Sequence, residues 1–141
     1  MKPRVAINGF GRIGRQVFRI NLERDLLDVV SINDPNSAET MAHLLKYDSA
    51  YGTLDADVEA TSEDELTVNG KTYKLNHTRD PLELPHKENE IDIVLECTGA
   101  FRDREGASKH LQAGAKKVLI SAPGKNIDRM VVMGVNEKDF H

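Results

Sequence analysis

The sequence predicts an α/β fold: a doubly wound, mostly parallel sheet with a small antiparallel hairpin insertion, in one domain over residues 1–141. Three observations predict it. Short runs rich in valine and isoleucine recur along the chain, as strands buried on both faces require. Stretches with apolar residues at helical spacing alternate with them. In the middle, Asn69-Gly70 separates two alternating runs, the strongest short hairpin signal there is.

Each element follows in order. RVAIN (Arg4–Asn8) reads as a buried strand and runs into Gly9, Gly11 and Gly14. Ile13, Val17 and Ile20 then repeat at helical spacing, which predicts a helix from about Arg12 to Arg24. DVVSIN (Asp28–Asn33) is a second buried strand. Asp34-Pro35-Asn36-Ser37 is a turn with N-cap chemistry, opening a helix with Met41, Leu44 and Leu45 on one side. ELTVNGKTYKL (Glu65–Leu75) forms the hairpin, taken as an antiparallel insertion. Ile91–Gly99 restores the buried-strand pattern. Asp103 caps a helix ending at Gly114, and Lys116–Ala122 and Met130–Asn136 are the last strands.

The three glycines form G-x-G-x-x-G in a specific context: after a strand, at the opening of a helix, and followed about 20 residues later by Asp34. That is the fingerprint of a Rossmann-type dinucleotide site. Gly9 permits the tight turn, Gly11 lets a pyrophosphate approach the backbone, and Gly14 lets the helix pack close to the sheet. The N–H groups of Arg12 and Ile13 then face the pyrophosphate at the positive end of the helix dipole. Asp34 would accept from the adenosine ribose hydroxyls and repel a 2′-phosphate, favouring NAD over NADP.

Composition narrows the remaining classes. A net charge of −4 and the absence of a basic patch speak against nucleic acid. No apolar run approaches the roughly 20 residues of a membrane span, so no membrane partner is expected. A single cysteine leaves no internal disulfide framework and points to a cytoplasmic location. The five histidines show no metal-like spacing. His43 and His110 fall in predicted helices as surface or satisfied core residues, and Glu63-Asp64-Glu65 reads as a solvated charge run.

Six ordered blocks are similar to a known family: INGFGRIGR, HLLKYDSAYG (His43–Gly52), RDP (Arg79–Pro81), ECTGAF (Glu96–Phe101), GAKKVLISAPGK (Gly114–Lys125) and VVMGVN (Val131–Asn136). The chain resembles the N-terminal, NAD-binding half of the phosphorylating glyceraldehyde-3-phosphate dehydrogenases. The resemblance implies that Phe10, Arg12 and Ile13, with the glycines, wrap the pyrophosphate. It implies that Asn33, Asp34 and Pro35 border the adenosine ribose and that Arg79 lies by the adenine. Thr98, Gly99 and Phe101 become the lip over the adenosine, and Ser121 approaches the nicotinamide side. Many members have a larger apolar residue at Pro35 and a tryptophan at His86. The glycine of APGK, Gly124, leaves open an erythrose-4-phosphate dehydrogenase, whereas Ile120–Pro123 looks closer to the glyceraldehyde-phosphate members.

The resemblance also implies the chemistry: a cysteine thiolate attacks the aldehyde, a histidine acts as base, hydride passes to NAD, and phosphate cleaves the thioester. No residue here matches the family's nucleophile motif. The sole cysteine, Cys97, closes a predicted buried strand and reads as a small hydrophobe. The expectation is an NAD-binding domain without catalytic residues, its catalytic C-terminal domain absent and its full-length form a homotetramer. A free-standing, non-catalytic nucleotide-binding module is the alternative.

Overall fold

The computed structural model describes residues 2–48, 52–78, 80–97, 104–121 and 130–134. The chain opens with β1 (Arg4–Asn8), α1 (Arg12–Arg24), β2 (Asp28–Asn33) and α2 (Ala38–Lys46). Two short strands, β3 (Tyr47–Asp48) and β4 (Gly52–Thr53), pair only with each other. Then come β5 (Val58–Ser62), β6 (Glu65–Val68), β7 (Lys71–Asn76) and a 3-10 turn at Pro81–Glu83. The chain continues through β8 (Ile93–Glu96), α3 (Arg104–Gln112), β9 (Lys117–Ser121) and β10 (Met130–Gly134).

The main sheet has the order β10-β9-β8-β1-β2-β7-β6-β5 among the described residues. Its centre is parallel: β9 with β8, β8 with β1, β1 with β2, and β2 with β7. The predicted hairpin is there, but it belongs to a three-stranded meander. β5, β6 and β7 pair antiparallel, and β7 docks parallel on β2, so the insertion extends the main sheet. β10 returns antiparallel on β9 at the opposite edge.

Strand β1 shows why both faces are covered. Val5 and Ile7 point into a core shared with Phe18 of α1, Met41 and Leu45 of α2, and Leu66 and Leu75 of the meander. Ala6, facing the other way, joins Val94, Val118 and, from α3, Leu111. The side-chain period of two along a strand forces this division. Phe18 stacks edge-on to Phe10 (5.7 Å, 88°) and to Tyr73 (4.9 Å, 71°). Each such pair adds about 0.5–1.5 kcal/mol beyond burial. Through Phe18, the glycine turn and the meander share one apolar anchor.

Candidate nucleotide site

The site is built at the carboxyl edge of the sheet, where β1 lies between β2 on one side and β8 on the other. The chain order reverses at β1, and in open α/β sheets such reversal points open a crevice beyond the strand ends. Asn8, Asn33 and Glu96 stand in register there, with Asn8 opposite Asn33 on one side and Glu96 on the other.

The three glycines do three different things. Gly9 has φ of 97°, a left-handed conformation that an L side chain rarely adopts, and its N–H donates to Asn33 O at 2.8 Å. Gly11 is the N-cap of α1, and a Cβ there would meet nothing within 4 Å. Gly14 is packed against the turn: its Cβ would lie 2.2 Å from the Gly9 carbonyl oxygen. The N-terminus of α1 has neither a capping side chain nor an acid in its first turn. Its leading N–H groups have no intrahelical acceptor, which is the standard anion cradle. Arg12 is exposed and Ile13 half-buried beside it. The Phe10 side chain, by contrast, is buried in the core, so that residue contributes backbone alone.

Asp34 is held over this turn. Its Oδ2 accepts from Phe10 N–H (2.8 Å), and Oδ1 accepts from the Asn36 backbone N–H and side-chain amide, both 2.9 Å. A carboxylate offers about four lone-pair directions, so three donors leave one free on Oδ2. The cap of α2 falls to another residue: Ser37 Oγ accepts from Thr40 N–H at 3.2 Å. Pro35 is exposed beside it. Asn33 turns its side chain inward, donating to Asn8 Oδ1 (2.6 Å) and Thr78 O (2.9 Å) and accepting from Thr78 N–H (3.0 Å). It thereby fixes the chain leaving β7. Ser121 ends β9 at the same edge of the sheet. Arg79, Thr98, Gly99 and Phe101 lie outside the described residues, as do Asp103 and Gly124.

Beneath the crevice runs a polar chain that sequence reading missed. Asn8 Nδ2 donates to Glu96 Oε2 (2.6 Å), the same oxygen lies 2.6 Å from His110 Nε2, and His110 Nδ1 lies 3.1 Å from His86 Nε2. All four residues are buried, with His110 and Glu96 at 0% exposure. Burial, then the neighbouring His110, pushes the His86 pKa down to about 4. The available signals were a glutamate inside an apolar strand (IVLE) and a histidine on a helix facing it. His43, by contrast, is exposed and lies against Tyr47. Glu63, Asp64 and Glu65 are exposed, as a solvated charge run should be, while the backbone carbonyls of Asp64 and Glu63 meet Leu75 N–H and His77.

Cys97 follows β8 and donates its N–H to Asn8 O at 2.7 Å. Burial, followed by the Glu96 charge, pushes its thiol up to about 12, the opposite of what a nucleophile needs. Among the described residues no group of histidines, cysteines and acids could hold a metal, and no helix is long and apolar enough to cross a membrane. The turn does fit a dinucleotide: a Cβ at Gly11 would intrude on space that is open, and an acid with a spare lone pair stands next to it.

Comparisons with known proteins agree on one family. The profile described as glyceraldehyde 3-phosphate dehydrogenase, NAD binding domain, matches residues 3–104. The chain is 56% identical over 140 residues to glyceraldehyde-3-phosphate dehydrogenase 2 of Bacillus subtilis (strain 168), covering 99% of this chain and 41% of that protein. It is 59% identical over 144 residues to the chloroplastic glyceraldehyde-3-phosphate dehydrogenase of Chondrus crispus, covering 99% of this chain and 34% of that protein. With the glyceraldehyde-3-phosphate dehydrogenase of Geobacillus stearothermophilus the identity is 54% over 140 residues, covering 99% and 42%. The chain therefore spans less than half the length of these relatives.

Proposed function

Because the chain belongs to the glyceraldehyde 3-phosphate dehydrogenase family through its NAD binding domain, we propose that residues 1–141 are the dinucleotide half of a longer enzyme that oxidises and phosphorylates glyceraldehyde 3-phosphate. NAD, the cofactor, supplies the hydride acceptor. The chain's own residues bind and orient it. Gly9, Gly11 and Gly14, with the N–H groups of Arg12 and Ile13, hold the pyrophosphate, and Asp34 selects the ribose. Asn33 and Pro35 border that sugar, and Arg79, Thr98, Gly99, Phe101 and Ser121 complete the adenosine and nicotinamide sides.

The observation that carries the reading is the pairing of the uncapped α1 N-terminus with Asp34, joined through the 2.8 Å bond from Phe10 N–H. Burial and the Glu96 charge hold the Cys97 thiol protonated, which supports binding of NAD without turnover, the nucleophile and base lying in other residues of the full-length protein. On the family resemblance, that protein is a cytoplasmic, glycolytic homotetramer.

Melting curves of the full chain with NAD and with NADP test the proposal. At about 100 times its dissociation constant NAD adds about 2.7 kcal/mol of stability, a rise of several degrees. NADP should give a much smaller shift, and Asp34→Ala should abolish the difference between the two. No NAD shift in a folded chain, or unchanged discrimination in Asp34→Ala, would overturn it.

A further inference from the structure

We propose that His77 is a positioning residue for the nucleotide: its doubly protonated ring clamps the backbone of Asp34 to the turn between β5 and β6, making NAD affinity depend on pH. The inference rests on NAD lying at Asp34.

His77 follows β7. Its Nδ1 lies 3.0 Å from Asp34 O and its Nε2 2.9 Å from Glu63 O. Carbonyl oxygens only accept. A neutral imidazole has one N–H, so it would aim a lone pair at one of these oxygens. Only the imidazolium satisfies both. The charged residues lining the cleft with it are Glu39 from α2 and Glu63 and Asp64 from the β5–β6 turn, all acidic. Asp64 Oδ1 stands 3.5 Å from Nε2. Burial alone would lower the pKa of His77, but the carbonyls of Glu63, Asp34 and Asn36 and the Asp64 charge outweigh it, and the net direction is upward.

Asp34 is thus held at each polar group. Its N–H donates to Asn76 O (3.0 Å), its carboxylate accepts from Phe10 and Asn36, and its carbonyl meets His77. The first is backbone to backbone, and the second runs to donors that carry no titratable proton. The third runs to a ring that titrates.

The sign follows from the raised value. Below the ordinary imidazole pKa of about 6.5 the clamp is complete, and it is lost as pH rises through the folded-state value. If bound NAD fixes Asp34, it raises the pKa of His77 further and takes up a fraction of a proton. The contact is indirect, through one carbonyl, so NAD should bind only about threefold to tenfold more weakly at pH 9 than at pH 6.

Calorimetric titration of NAD into the full chain from pH 6 to pH 9, in two buffers of different ionisation enthalpy, tests this. The wild type should show the weakening and a net proton uptake within that range. His77→Gln, which donates from one nitrogen and cannot span both carbonyls, should bind at the weaker level at every pH. A His77→Gln profile with the wild-type slope, or no proton uptake by the wild type, would overturn the clamp while leaving NAD binding intact. Undiminished binding in Asp34→Ala would instead remove its premise.

Discussion

Gly14 and Gly9 touch so closely that a single methyl group cannot fit between them: a Cβ on Gly14 would sit 2.2 Å from the Gly9 carbonyl oxygen. The obstacle is backbone, which has no rotamer to swing away. Gly14→Ala should cost about 1–3 kcal/mol despite the gain of about 1 kcal/mol in helix propensity, because α1 must lift from the turn. Gly11→Ala meets no atom within 4 Å and should melt within about 2 °C of the wild type. It should nonetheless weaken NAD at least about tenfold, since a Cβ there occupies the approach to the helix N-terminus. Thermal melting and NAD titration on both variants check the pair. Equal effects on stability would contradict it.

The buried histidine pair sets an acid limb. His86 is 2% exposed and its pKa is depressed to about 4. Between that value and about 6.5 the unfolded chain binds a proton that the folded chain refuses, so stability falls as pH drops through this window. The loss is up to about 3 kcal/mol. His86→Phe should be less stable at pH 7, because it strips His110 Nδ1 of its partner. Its deficit should shrink steadily toward pH 4, since it lacks the group that refuses the proton. Asp25 and Asp92, both lowered by hydrogen bonds, add the same acid sensitivity to both proteins and cancel in the difference. Urea unfolding at a series of pH values measures it.

Cys97 should resist labelling. With its thiol pushed up to about 12 by burial and Glu96, about one molecule in ten thousand carries a thiolate at pH 8. A disulfide reagent should leave the native chain unmodified and react fully once denaturant is added. Rapid reaction in the native state would return Cys97 to consideration as a nucleophile.

What could be read from residues alone was whatever had a local cause. β1, α1 and β2 begin and end as read, because strand patterning, helical spacing and glycine all act within a few residues. The turn at Asp34–Ser37 was legible as capping chemistry, and the structure divides the labour, with Ser37 capping and Asp34 gripping Phe10. β5 was not legible. Val58–Ser62 alternates only from Val58 to Thr61 and is nowhere fully buried, because it is the outer strand of the meander, so its apolar signal is short and weak. The chain from Asn8 to His86 was invisible for a different reason. Its links span 88, 14 and 24 residues, and no periodicity reports a partner so far away.

Those long links also govern when the domain can finish forming during synthesis. The first strand leaves the ribosome early, yet the amide of Asn8 finds its carboxylate at residue 96, and that carboxylate finds its ring at residue 110. A nascent chain of 90 residues therefore carries an unmatched polar group in the middle of an otherwise complete half-sheet. At about 5–20 residues per second, emergence of the remaining partners takes seconds, far longer than helix or hairpin formation. The polar chain beneath the crevice can therefore close only after α3 has been made.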